Sequence, residues 1–112
     1  MEISRNAEIA QTILTQLGGG KFKMMTGAKH CFAIENGLSF RLPGAGGFCK
    51  NDINYVTVIL EPSDTYTVAF KRVRGDTITE VSKHTDIYCD TLVELFERET
   101  GLATRLPRVI FA

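Results

Sequence analysis

The side chains that could bind a metal or pair a nucleophile with a base are Cys31, Cys49, Cys89, His30 and His84. Zinc sites draw their ligands from short, defined spacings, and this set contains no Cys-x-x-Cys and no His-x-x-x-His. His30, Cys31 and His84 would meet only if neighbouring strands carried them together, and a buried cysteine is more often a small hydrophobe than a ligand. A Cys-His nucleophile also needs a base and an orienting group in reach. Cys89, beside Asp90 near the expected start of a helix, has a helix dipole favouring its thiolate and a carboxylate opposing it. The residues therefore predict no metal, no cofactor and no catalytic centre, and the chain reads as a non-enzyme.

The charged residues carry more information by segment than by sum. The 13 basic and 13 acidic side chains cancel, so no general affinity for nucleic acid or anionic lipid follows from the total. Between Lys21 and Lys83 stand Lys21, Lys23, Lys29, Arg41, Lys50, Lys71, Arg72, Arg74 and Lys83, against Glu35, Asp52, Glu61, Asp64, Asp76 and Glu80. The end of the chain is the reverse, with Asp86, Asp90, Glu94, Glu97 and Glu99 around Arg98. Basic residues on the wet face of a sheet can contact phosphates, although the same pattern suits ordinary solubilising positions. The acids equally suit the solvated face of a helix.

The elements that must position these residues centre on Asn54 to Arg74. Val, Ile, Thr, Tyr and Phe fill two strands there, around a Glu61-Pro62-Ser63-Asp64 turn. Before it, Asn6 is placed to cap a helix over about 7–17, with Ala10, Ile13, Leu14 and Leu17 on one face. Gly18-Gly19-Gly20 ends that helix. A phosphate-binding role for the triplet is set aside, because such a loop should lead into a helix and this one follows one. Lys21 to Met25 reads as a short edge strand with Phe22 and Met24 inward. His30 to Ile34 then pairs with Leu38 to Leu42 across Glu35-Asn36-Gly37.

Pro43 to Asp52 is the longest expected loop, with Phe48 as an anchor in it. Thr77 to Lys83 reads as a further strand. Ile78 and Val81 are out of phase there, which predicts a bulge or an early end to pairing. Asp86 is placed to cap a last helix over about 87–100, with Tyr88, Leu92, Leu95 and Phe96 as its apolar stripe, a Glu94–Arg98 pair, and Gly101 as its stop. Residues 103–112 form a tail with an apolar Val109-Ile110-Phe111 end.

Thr12-Ile13-Leu14, Gln16-Leu17-Gly18-Gly19, Lys21-Phe22, Met25-Thr26-Gly27-Ala28-Lys29, Gly37-Leu38-Ser39-Phe40-Arg41-Leu42-Pro43, Asn54-Tyr55-Val56, Asp64-Thr65-Tyr66-Thr67-Val68 and Tyr88-Cys89-Asp90 through Thr100-Gly101-Leu102 resemble a family of small bacterial proteins. Members of that family are carried by phages, prophages and other mobile elements. The likeness covers residues 12 to 106 and is most distinctive at Met25 to Lys29. It implies a setting and transfers no site.

With 112 residues and 44% apolar side chains, the expectation is one α+β domain over 1–112: an antiparallel meander of five or six strands within 21–84, covered on one face by an N-terminal and a C-terminal helix. The odd cysteine count, the lack of a leader-like start and the lack of any long apolar run point to a reduced cytoplasmic protein without a membrane span. The bare sheet face and apolar tail suggest a homodimer. Two functions compete. One is a mobile-element accessory protein that binds nucleic acid or a nucleoprotein through Lys21, Lys23, Lys29, Arg41, Lys50, Lys71, Arg72 and Arg74, with the Gly44–Lys50 loop. The other is a module that binds a host protein through Asp90, Glu94 and Glu97.

Overall fold

Alternation in the central tract decides the architecture. In this computed structural model, which describes residues 2–43, 50–102 and 104, Tyr55–Leu60 and Tyr66–Arg74 form β3 and β4. The expected turn joins them, closed by the Asp64 N–H to the Glu61 carbonyl at 3.0 Å and by Glu61 N–H to Thr65 at 2.8 Å. Val56 and Val58 on β3, and Tyr66, Val68 and Phe70 on β4, turn to one side and are buried. Lys29–Ile34 (β1) and Gly37–Arg41 (β2) precede them, and Thr77–Ile87 (β5) follows. The five strands lie in sequence order, every neighbouring pair antiparallel. The fold is the expected α+β meander, with a sheet of five strands.

Helices supply the lid. Glu2–Leu17 (α1) lies over β1 and β2 and buries Ala10, Ile13 and Leu17. It begins earlier than expected, because nothing between Glu2 and Asn6 breaks a helix. Asn6 is therefore inside α1 rather than its cap, and its Oδ1 accepts the Asn36 N–H at 3.0 Å, fastening the helix to the β1–β2 turn.

The next segment corrects the sequence reading. Lys21 to Met25 belongs to a second helix, Gly19–Thr26 (α2), not to an edge strand. Phe22 and Thr26, four apart, are buried, whereas Met24, expected inward, is 83% exposed. A five-residue alternation is too short to separate the two periods. Packing decides for the helix, and Gly27 at φ 72° closes it.

The final helix, Leu92–Thr100 (α3), starts later than expected. β5 continues to Ile87, which pairs with Tyr66. Its ladder bonds to β4 keep Asp86 in a strand, so Asp86 does not cap α3, and Tyr88 lies outside the helix at 61% exposure. Leu92, Leu95 and Phe96 do form the buried stripe. Gly101 (φ 78°) ends the helix as expected, and Leu102 packs against the core. Arg98 approaches Glu99 at 3.8 Å, and no Glu94–Arg98 ion pair forms among the described residues. The Gly44–Cys49 part of the expected loop, with Phe48, and the tail apart from Thr104 lie outside the described residues.

The core centres on four rings. Phe22 of α2 meets Phe40 of β2 and Phe96 of α3 edge-on, both at 5.2 Å. Phe96 also lies 6.0 Å from Phe40 and 6.5 Å from Phe70 of β4. These are favoured aromatic separations, each pair adding about 0.5–1.5 kcal/mol beyond burial. Phe96→Ala should therefore cost about 3–5 kcal/mol of stability, read from urea unfolding midpoints. At Gly37, an added Cβ would collide with the Val58 carbonyl oxygen and with Ile59. Gly37→Ala should cost about 1–3 kcal/mol as an overpacking change, with a lowered melting temperature as the check.

Candidate functional site

Cross-strand partners share a sheet face, so the pairing register identifies what stands on the side away from the helices. One row runs Phe32, Ser39, Thr57, Ala69, Lys83 across all five strands. The next runs Lys29, Arg41, Tyr55, Lys71, Glu80. Beyond it Val73 pairs with Ile78. The floor of this face is small: Ala69 is 6% exposed and Ser39 is 3% exposed.

Three register slips interrupt the sheet, and two of them shape this face. Between Lys29 and Phe32 the register of β1 against β2 slips, and His30 takes φ 54°. A left-handed conformation is uncommon for a non-glycine residue in a strand. Here it brings His30 onto the bare side with Phe32, their rings nearly parallel (19°) at 6.4 Å, and leaves Cys31 packed against the core. The second slip, between Glu80 and Ser82, is the bulge expected near Val81. Bulges bend the strand that carries them. His30, Phe32, Arg41, Tyr55, Val73 and Ile78 together line a cleft of about 320 Å³.

The sequence-predicted cations divide sharply. Lys29 and Arg41, both exposed, and the half-buried Lys71 share the second row with Tyr55. Among the described residues, none of Lys29, Arg41, Lys71 and Lys83 makes a side-chain hydrogen bond or ion pair. Arg72 and Arg74 occupy alternate positions on β4, on the opposite side. Arg72 donates from Nε and Nη2 to the Asn51 carbonyl at 3.2 and 2.9 Å, and Arg74 meets the Asp52 carboxylate at 2.9 Å. Lys50 donates to the Arg98 carbonyl at 3.1 Å, near the end of α3. Lys21 and Lys23 stand exposed on α2, in the helical layer. The single basic sheet face expected from the sequence is thus three separate groups.

The acidic residues are also unequal. Asp90 and Glu94 are exposed. Glu97 accepts from the N–H and hydroxyl of Thr104 at 2.8 and 3.1 Å, tying the end of α3 to the following segment. Glu99, whose side chain is 24% exposed, accepts from Ser82 Oγ at 2.9 Å and His84 Nε2 at 3.1 Å. Serine, histidine and glutamate are the residue types of a hydrolytic triad, but the hydroxyl donates to the carboxylate rather than to the imidazole. No base is aligned on that serine. The contact instead joins α3 to β5.

His30, Cys31 and His84 do not converge. His30 opens on the bare face, Cys31 packs toward the core and His84 bonds Glu99. Burial pushes the Cys31 thiol up, against the opposing charge of Lys23, which suits a packing role over a nucleophilic one. No group of three or more His, Cys, Asp or Glu side chains gathers to hold a metal among the described residues. No helix among them is long and apolar enough to cross a membrane.

Sequence reasoning missed Phe32, Tyr55, Val73 and Ile78 as site residues, and His30 as anything but a ligand. A signal was present for Phe32. Once Leu38 and Phe40 are inward, the hairpin pairs Phe32 with Ser39 on the other face.

Glu99 yields a pH prediction. Burial raises its carboxyl, but hydrogen bonds from Ser82 and His84, with the charges of His84 and Arg98, outweigh burial and hold it below the ordinary 4.5. A depressed folded-state value stabilises the fold above that ordinary value, and the contribution fades as pH falls through the folded one. Glu99→Gln should cost roughly 1 kcal/mol at neutral pH, with the gap to wild type closing in acid. Urea midpoints at the two pH values test it, and a gap independent of pH would refute the assignment.

Comparison of the chain with protein-family models, with curated proteins and with solved structures finds no match.

Proposed function

We propose that this chain is a non-enzymatic accessory protein of a mobile element, acting in the cytoplasm, that binds nucleic acid or a nucleoprotein through the bare face of its sheet. The observation that carries the reading is the row Lys29, Arg41, Tyr55, Lys71, whose cations make no side-chain hydrogen bond or ion pair among the described residues, while Arg72, Arg74 and Lys50 are tied to the protein's own backbone and carboxylates. Phosphate contacts supply affinity, and aromatic side chains set among them can stack on bases. Lys83 in the neighbouring row adds a further cation, while Glu80, opposite Lys71, is the acid that ends the cationic row. The mobile-element setting rests on the family resemblance of residues 12 to 106.

The alternative, capture of a host protein by the acidic last helix, loses part of its surface, because Glu97 and Glu99 are engaged internally. Asp90 and Glu94 remain for it. A homodimer formed through the bare face would compete with nucleic acid for the same residues.

The test is retention of purified protein on DNA and RNA across a salt series. Arg41→Ala with Lys71→Ala should weaken binding and lower the slope of log affinity against log salt by about 0.7–0.9 per lost contact. Arg72→Ala with Arg74→Ala should leave the slope unchanged. Folded protein that binds no nucleic acid at low salt would overturn the proposal. Partner capture lost on Asp90→Lys with Glu94→Lys would then favour the acidic helix.

A further inference from the structure

The bare face carries more than charge. Phe32 and Ile78 are 61% and 65% exposed, a costly arrangement for large apolar side chains, and they belong to β1 and β5, the two edges of the sheet. Both nevertheless border one cleft, together with His30, Arg41, Tyr55 and Val73. Strands at opposite edges reach a common cleft only if the sheet curls, and each of these edge strands contains a bulge that bends it. The bare face is therefore concave at this end. Its lining is mostly apolar, with Arg41 in its wall and Lys29 and Lys71 in the same row as Arg41.

A double helix has little use for such a surface. Its bases are stacked on one another, so a duplex offers phosphates to Arg41 and Lys71 and leaves Phe32, Ile78 and the His30 ring facing water. An unpaired base presents its π-face. At about 320 Å³ the cleft is at the small end of ligand pockets, on the scale of a single nucleotide rather than a paired one. Resting on the nucleic-acid reading above, we infer that the ligand is single-stranded: an unpaired base enters the cleft and stacks on Phe32 beside His30, and its flanking phosphates lie on Arg41, Lys29 and Lys71. Stacking accepts any base, so recognition is of strandedness rather than of sequence.

The protein contains no tryptophan, so Phe32→Trp places a single fluorescent reporter in the cleft. Titrating this variant at low salt with oligothymidylate, oligouridylate and a duplex of equal length should quench its emission with the single strands and leave it nearly unchanged with the duplex. Phe32→Ala should weaken single-strand binding roughly tenfold or more. Phe32→Trp should retain it, which separates loss of stacking from loss of fold, and Arg41→Ala should weaken both strand types. Equal affinity for single strands and duplex, or indifference of single-strand binding to Phe32→Ala, would overturn the inference while leaving nucleic-acid binding standing. Absence of binding to every nucleic acid by the folded protein would overturn both.

Discussion

The contact among Phe22, Phe40, Phe70 and Phe96 is the constraint on which the rest of the structure depends. Each ring comes from a different element, α2, β2, β4 and α3, so one cluster joins two helices to two strands that are not adjacent in the sheet. Once Phe40 and Phe70 point toward the helices, the two-residue period of a strand leaves no freedom in the rest of β2 and β4. Arg41 and Lys71 must emerge on the other side, and Arg72 and Arg74 must not. The distribution of charge over the surface is in this sense a consequence of core packing.

The bulges are where that strict alternation is broken. A regular β1 would have placed His30 and Phe32 on one face together with Ile34, with no room for Lys29 on it. The extra residue and the φ of 54° at His30 admit both Lys29 and Phe32 to the bare face and keep Cys31 against the core. The bulge at Val81 does the same on the other edge, where Val81 packs against the core and Ile78 stays outside. Local backbone irregularity of this kind recurs where a strand must re-aim a side chain.

Several charged residues outside the bare face hold elements in place. Arg72 and Arg74 tie β4 to the short turn Lys50–Asp52, Lys50 ties that turn to α3, and Glu99 ties α3 to β5. Asn54 contributes similarly: its side chain donates to the Val73 carbonyl at 2.9 Å and accepts the Val73 N–H at 2.7 Å, continuing the β3–β4 pairing beyond the end of β3. These contacts link residues far apart in the chain, and nothing in their spacing announces them. For that reason a tally of lysine and arginine by segment grouped cations that the fold separates.

By itself the sequence determined the α+β class, the antiparallel order of the strands, the Glu61–Asp64 turn, the irregularity near Val81 and the glycine stop at Gly101. All of these follow from local chemistry, meaning side-chain period, turn residues and backbone freedom. Only the tertiary structure decided that Lys21 to Met25 coils into a helix, that β5 overrides the capping tendency of Asp86, and which cations remain uncommitted. In each case the deciding energy is a contact with a distant residue: Phe22 against Phe40 and Phe96, Ile87 paired with Tyr66, Arg74 with Asp52. The cleft belongs to the same category, because its walls come from β1 and β5, and only the curl of the sheet brings His30 and Ile78 to a common space.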